Sequence, residues 1–99
     1  MPVPGNEIRH EDGTFFIEEG GRRIAELNYR RAGATRLGQS TAIIYHTWVD
    51  PALRGGGEAR RLVDAAAQWA RAGNLKLSPA CSYVRALFTR SRDFDDVRA

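Results

Sequence analysis

The stretch Thr41-Ala42-Ile43-Ile44-Tyr45-His46-Thr47-Trp48-Val49-Asp50-Pro51-Ala52-Leu53-Arg54-Gly55-Gly56-Gly57-Glu58-Ala59-Arg60 decides how this chain folds. Its opening run, Thr41 to Val49, is the longest β-prone segment in the sequence and is apolar on both faces, which predicts a central strand. Asp50-Pro51 ends it, because Pro51 has no N–H for a ladder and biases the residue before it away from helix. A helix follows the glycines. Ala59, Leu62, Val63, Ala66, Trp69 and Ala70 recur at three- and four-residue spacing, Arg60, Arg61, Asp64, Gln68 and Arg71 fall elsewhere on the wheel, and Gly73-Asn74 closes it. Leu75-Lys76-Leu77 then reads as a short strand. Strand, helix and strand in this order form a right-handed βαβ crossover, so Thr41–Val49 and Leu75–Leu77 are expected as parallel neighbours.

Upstream lies a meander. Thr14–Glu18 is aromatic and β-branched between the turn signals Asp12-Gly13 and Glu19-Gly20-Gly21. From Arg23 to Arg30 a mostly apolar set, Arg23, Ala25, Leu27 and Tyr29, alternates with Ile24, Glu26, Asn28 and Arg30, which implies burial on one side. Glu7–His10 supplies a weaker first strand, since only Ile8 there is a strong core former, and His10 reads as surface. Arg31–Ser40 has no periodicity and reads as a basic loop. Downstream, Ser78 as N-cap and Pro79 at the first helical position open a second helix with Ala80, Tyr83, Val84, Leu87 and Phe88 on its apolar face. Phe94 and Val97 are the residues able to dock the charged tail Arg90–Arg98. The expected architecture is a compact α+β fold: a mostly antiparallel sheet with a central parallel crossover and two helices.

Composition narrows the function. The 99 residues, 42% hydrophobic and 27% charged, suit one globular domain, residues 1–99, that buries roughly two-thirds of its unfolded surface. The single cysteine, Cys81, has no internal disulfide partner, and the N-terminus shows no export signal, so a cytoplasmic protein without a membrane span is expected. A net charge of +3 suits an anionic ligand. Nucleic acid is disfavoured, because no stacking aromatics interleave with the arginines. No metal is called for.

Between the strand and the helix, glycines leave backbone N–H groups uncovered at a helix N-terminus, where the dipole end is positive. This is a phosphate cradle. Each charge–dipole contribution is only about 0.3–1 kcal/mol, so several amides must act with Arg54 and Arg60 to hold a pyrophosphate. Glu58 is the dissenting charge and is expected to point outward. The spacing Arg54-x-x-Gly57-x-Ala59 arises by chance about 0.4 times in a chain of this composition and carries little alone. A Walker sequence is excluded because no Gly-Lys-Ser/Thr follows, and a dinucleotide fingerprint lacks its glycine spacing.

Taken in order, His46-Thr47-Trp48-Val49-Asp50-Pro51, Leu53-Arg54-Gly55-Gly56-Gly57, Leu62-Val63 and Pro79-Ala80-Cys81-Ser82-Tyr83 resemble the small GNAT-type N-acetyltransferases. More narrowly, they resemble a subfamily of roughly hundred-residue acetyltransferases with His-Thr-x-Val and Pro-x-Cys-x-Tyr motifs. The resemblance runs from about Phe15 to Phe88. It implies an acetyl-CoA site in which the strand end Trp48-Val49 lends backbone groups to pantetheine and the amides from Gly55 through Gly56, Gly57 and Glu58 to Ala59 hold pyrophosphate. Arg54 and Arg60 neutralise phosphate charge. It also implies that the two parallel strands splay to admit the cofactor arm.

Three side chains are candidates for the chemistry of transfer. Cys81, expected at the third helical position, is either a small buried hydrophobe or a residue facing the cofactor, there as a transient acyl acceptor or as a shape and hydrogen-bond element. His46 has the right intrinsic pKa range for a base, but alternation points it opposite to Tyr45 and Thr47, and a structural histidine is the competing reading. Tyr83 is either core or the proton donor to the departing thiolate. Trp48 stands where the subfamily often carries a carboxylate, which removes a negative group from the acceptor side. With no room for helices between Asp12 and Arg23, the acceptor face is expected to be open, filled by a small-molecule, protein or peptide amine, by a partner in a weak homodimer, or by nothing. The leading reading is an acetyl-CoA-dependent N-acyltransferase acting on an amine; the second is a CoA-binding module with little turnover.

Overall fold

The computed structural model describes residues 7–33 and 38–99. Among the described residues, five strands and two α-helices follow one another: β1 (Ile8–Glu11), β2 (Thr14–Glu19), β3 (Arg22–Ala32), β4 (Ser40–Val49), a 3-10 turn (Pro51–Leu53), α1 (Glu58–Ala72), β5 (Leu75–Pro79) and α2 (Ser82–Arg90). Spatial order in the sheet equals chain order; β1 to β4 pair antiparallel and β4–β5 is parallel, as expected of the crossover around α1.

β3 runs two residues further than its alternation suggests, because Arg31 and Ala32 pair with Ala42 and Thr41 of β4. A basic loop from Arg31 is therefore shortened to begin after the strand, and its residues 34–37 lie outside the described residues. Two bulges break strict alternation. On β3 the register passes from Ile17↔Ala25 to Glu18↔Arg23, so Ile24 is an extra residue, and Ile24 and Ala25 are both buried. On β4 it passes from Asn28↔His46 to Tyr29↔Ile44, and Tyr45 is the extra residue.

The second helix begins later than its local signals indicate. Ser78 and Pro79 belong to β5, opposite Ile43 and Ile44, and Ala80 precedes the helix. The N-cap is Cys81, with φ −91° and ψ 137°, so Cys81 is not the third helical residue. An N-cap serine contributes only about 1 kcal/mol, and strand pairing with β4 outweighs it.

One core cluster joins the sheet to both helices through Ile17, Leu27, Ile44, Leu62, Val84 and Phe88, among others. The tail docks on it as expected: Phe94 stacks on Phe88 with centroids 5.1 Å apart, and Val97 is buried beside it. Leu77 N–H donates to Val97 O at 2.6 Å, so the tail extends the sheet edge next to β5. Trp69 is partly buried; its indole packs on Tyr29 and Phe15, at 4.8 and 5.7 Å between centroids.

His10 does more than an exposed strand residue. Its ring stacks on Phe15 at 3.9 Å, meets Trp69 edge-on, and shares a hydrogen bond with the Tyr29 hydroxyl. Burial against these rings pushes the His10 imidazole below its ordinary 6.5, partly offset by Asp12. The unfolded chain therefore takes up this proton first as pH falls. The stability in question is complete above about 6.5 and is lost as pH drops through the lower folded-state value. The melting temperature of the protein is expected to decrease between about pH 7.5 and pH 5, and to decrease less in His10→Gln; equal slopes would remove His10 as the cause.

Candidate functional site

The carbonyl oxygen of Ile44 accepts from both Ala80 N–H, at 2.9 Å, and Cys81 N–H, at 3.0 Å. The β4–β5 ladder runs only from Ser40↔Leu75 to Ile44↔Pro79. Past that point the chain turns into α2 while β4 continues to Val49, so the two parallel strands part. Residues Tyr45 to Val49 face the gap with backbone groups that β5 does not engage.

A cavity of about 500 Å³ fills the gap. Thr47, Trp48 and Val49 form one wall, Tyr83 of α2 stands opposite, and the floor is the glycine turn with the first turn of α1. Asp50 sets the turn at the end of β4. Its carboxylate accepts from Ala52 N–H at 2.9 Å and from Arg22 at 2.6 Å, and these contacts hold its carboxyl below the usual carboxylate range. Leu53 leads into the turn and lines the cavity. Arg54 lines it too, anchored by a hydrogen bond from Nε to Val49 O at 3.2 Å.

Gly57 is the N-cap of α1 with φ +89°, in the left-handed region that favours glycine. A Cβ on Gly55 or Gly57 would meet nothing within 4 Å, so a ligand can approach the backbone closely at both. Gly56 is different. Its N–H donates to Leu53 O at 3.2 Å, and a Cβ there would stand 2.7 Å from Glu58 Oε1. Gly56 thus shapes the turn, and it is absent from the cavity wall. The same contact corrects the expectation for Glu58: its carboxylate folds back over Gly56 and lines the cavity. The acid is drawn to the positive end of α1, the place an anion would take.

Ala59 and Arg60 complete the cradle. Arg60 is also held by Asp64 at 3.3 Å and Asp93 at 2.9 Å, with its guanidinium 4.9 Å from the Phe94 centroid. A phosphate there shares this arginine with two carboxylates.

Of the three chemical candidates, the structure puts Tyr83 on the cavity wall and Cys81 at the start of α2, against Thr47. Cys81 Sγ and Thr47 Oγ1 are in hydrogen-bond contact at 3.3 Å; Thr47 lines the cavity and Cys81 is absent from its wall. Burial pushes the Cys81 thiol up, but the Thr47 hydroxyl and the N–H groups of Val84 and Tyr83 at the start of α2 outweigh it, holding the thiol below its ordinary value. His46 is exposed, pairs across the ladder with Asn28, and does not line the cavity. The bulge at Tyr45 also breaks the alternation that set these two residues on opposite faces; both are exposed. Thr47 and Leu53 were not among the expected site residues. Strand register could have found Thr47, which pairs with the buried Leu27.

The residues present fit an acyl-CoA arm: a strand edge that β5 leaves free for amide groups, open glycines, and orphan N–H groups at the start of α1 for pyrophosphate. The pattern of the GCN5-related N-acetyl-transferase family matches residues 14–97. Among solved structures, a GCN5-like protein from Staphylococcus aureus superposes with a TM-score of 0.76 at 25% identity, over 98% of this chain and 91% of that one. A ribosomal-protein-alanine N-acetyltransferase from Brucella melitensis matches with a TM-score of 0.66 at 21% identity, over 78% of this chain and 60% of that one. An aminoglycoside N-acetyltransferase in complex with CoA gives a TM-score of 0.57 at 15% identity, over 77% and 63%. These last two speak for the fold. No curated protein matches the sequence. The family pattern, spanning both the parting strands and the glycine turn, places this chain in the GCN5-related N-acetyltransferase family.

Proposed function

We propose that this chain binds acetyl-CoA in the gap between β4 and β5 and transfers the acetyl group to an amine. The observation that carries this reading is the parting of the strands at Ile44, beyond which one cavity runs from the end of β4 to the glycine turn. Acetyl-CoA, when bound, supplies an activated acetyl thioester. The edge of β4 from Tyr45 to Val49 offers backbone donors and acceptors to the amides of the pantetheine arm. N–H groups of Gly57, Glu58 and Ala59, with Arg54 and Arg60, hold the pyrophosphate.

Thr47 and Tyr83 both line the cavity. In the transfer, a C–N bond forms between the amine and the acetyl carbon, the C–S bond breaks, and the amine gives up a proton. Tyr83 donates a proton to the departing thiolate and is replenished by the one released. Direct attack needs no acyl-enzyme. Bonded to the Thr47 hydroxyl and absent from the cavity wall, Cys81 serves as a hydrogen-bond and shape element that positions Thr47.

Titration with acetyl-CoA should raise the melting temperature; no rise at saturating concentration would remove both acetyl transfer and simple CoA binding. Cys81→Ala is expected to keep turnover within about tenfold of wild type, the worth of one hydrogen bond, with no acetyl adduct on Cys81 in the intact mass of the wild-type protein. An acetylated Cys81, together with lost turnover and retained CoA binding in the variant, would assign the covalent role instead. Glu58→Gln removes a negative charge from the anion site and should tighten CoA binding about two- to fivefold at low salt. Calorimetry showing unchanged or weaker binding would place Glu58 outside the pyrophosphate site.

A further inference from the structure

The tail that follows α2 brings one carboxylate to an arginine of the cofactor cavity. Asp93 Oδ2 accepts from Arg60 Nη2 at 2.9 Å, and Arg60 lines the cavity while Asp93 does not. Arg60 Nε is engaged by Asp64 Oδ1 at 3.3 Å. Two of the three guanidinium nitrogens therefore already face carboxylates before any anion arrives.

The two acids are held differently. Asp64 stands four residues from Arg60 on the same helix, whereas Asp93 belongs to a segment fixed by its apolar anchors, the buried Phe94 and Val97. The Asp93 backbone is tied on both sides: its N–H donates to Ser91 Oγ at 3.2 Å, and its carbonyl accepts from Arg71 Nη2 at 2.7 Å. Its side chain is 71% exposed. The carboxylate is thus free to exchange Arg60 for water while the backbone stays in place, and an exposed pair of this kind is weak. Phe94, with its ring centroid 4.9 Å from the guanidinium, keeps the arginine at the cradle when the carboxylate is gone. A pyrophosphate brings more charge and more acceptor oxygens to the same group than one carboxylate does.

We propose that Asp93 competes with the cofactor for Arg60: its carboxylate gives up the guanidinium when pyrophosphate arrives and recaptures it as CoA leaves, which speeds the release of spent CoA. The inference rests on the acetyl-CoA reading above and adds to it a residue outside the cavity wall that sets how long the cofactor stays. Neither step moves the tail; one anion replaces another on a single guanidinium. The pair exists in the free protein and is given up in the complex, so its free energy is subtracted from that of binding. A counter-ion at hand to retake Arg60 favours the departing state, so the difference falls mainly on dissociation. An acid that only oriented Arg60 toward phosphate would act with the opposite sign, and its removal would weaken binding.

The test is calorimetry of acetyl-CoA and of CoA, with the dissociation rate of CoA from the immobilised full chain, in wild type, Asp93→Asn and Asp96→Asn at low and high salt. Asp93→Asn keeps both backbone bonds and removes the charge that faces Arg60. It is expected to lower Kd for both ligands about two- to fivefold at low salt through slower dissociation, with the gain shrinking at high salt. Asp96→Asn removes the same charge from the same tail, but from Arg71, which does not line the cavity, and is expected to leave both Kd values unchanged. Unchanged or weaker binding in Asp93→Asn, an equal gain in Asp96→Asn, or a gain confined to the association rate overturns the competition at Arg60, while acetyl-CoA binding by the wild type still stands. A wild type that binds neither ligand overturns the acetyl-CoA reading, and the role of Asp93 with it.

Discussion

The two residues that follow Pro79, Ala80 and Cys81, both donate to the one carbonyl of Ile44. The bond from Ala80 closes the last pair of the parallel ladder, Ile44↔Pro79, the bond from Cys81 doubles it, and the chain then turns into α2. Each of these hydrogen bonds contributes only about 0.5–1.5 kcal/mol net, yet together they fix where two strands separate. An open strand edge is otherwise a liability, a row of groups ready to pair with any extended chain. Here that edge is recessed between α2 and the glycine turn, where a ligand of the right width can reach it.

The far end of the cavity depends on the tail. Arg60 is gripped by Asp64 and Asp93, and Arg71 by Asp96 at 2.7 Å, so the tail is tied to both ends of α1. Exposed ion pairs of this kind contribute about 0–1 kcal/mol each and do not hold a tail by themselves. The anchoring comes from Phe94 and Val97, both almost fully buried, at about 1.5–3 kcal/mol for a large apolar side chain. The result is an arginine held rigid at the cradle. Charges of both signs, Arg54 and Arg60 against Glu58, meet on the cavity wall.

The two faces of the sheet divide the labour. One packs Phe15, Tyr29 and Leu27 toward α1; the other carries Glu26, Asn28, His46 and Trp48, with Phe16 sealed beneath Arg23. Between Asp12 and Arg23 the chain makes only the strand β2 and its turns, so nothing in that interval walls the second face. The bulge at Tyr45 matters for the same reason. One added residue re-aims the side chains of β4 where the two faces and the cavity converge.

Much of this was legible in the residues themselves. The β-prone run Thr41–Val49, the glycines, the amphipathic period of α1 and the short strand after it fix a strand–helix–strand unit, because periodicity and turn chemistry are local properties. Phe94 and Val97 likewise declared the tail's docking residues. What the sequence could not show depends on partners distant in the chain. Ser78 and Pro79 carry helix-start signals but follow the ladder that β4 offers, and Cys81 becomes the cap. His10 finds Phe15, Tyr29 and Trp69 only once β1 is laid beside β2 and α1 lies across the sheet. Glu58 turns inward because the N–H groups of the first turn of α1 lie there, and Glu26 meets Trp48 only through the β3–β4 register. Local sequence determined the elements and the cradle; which side chains share a cavity or a face was decided by strand register and bulges, which arise only when distant segments pair.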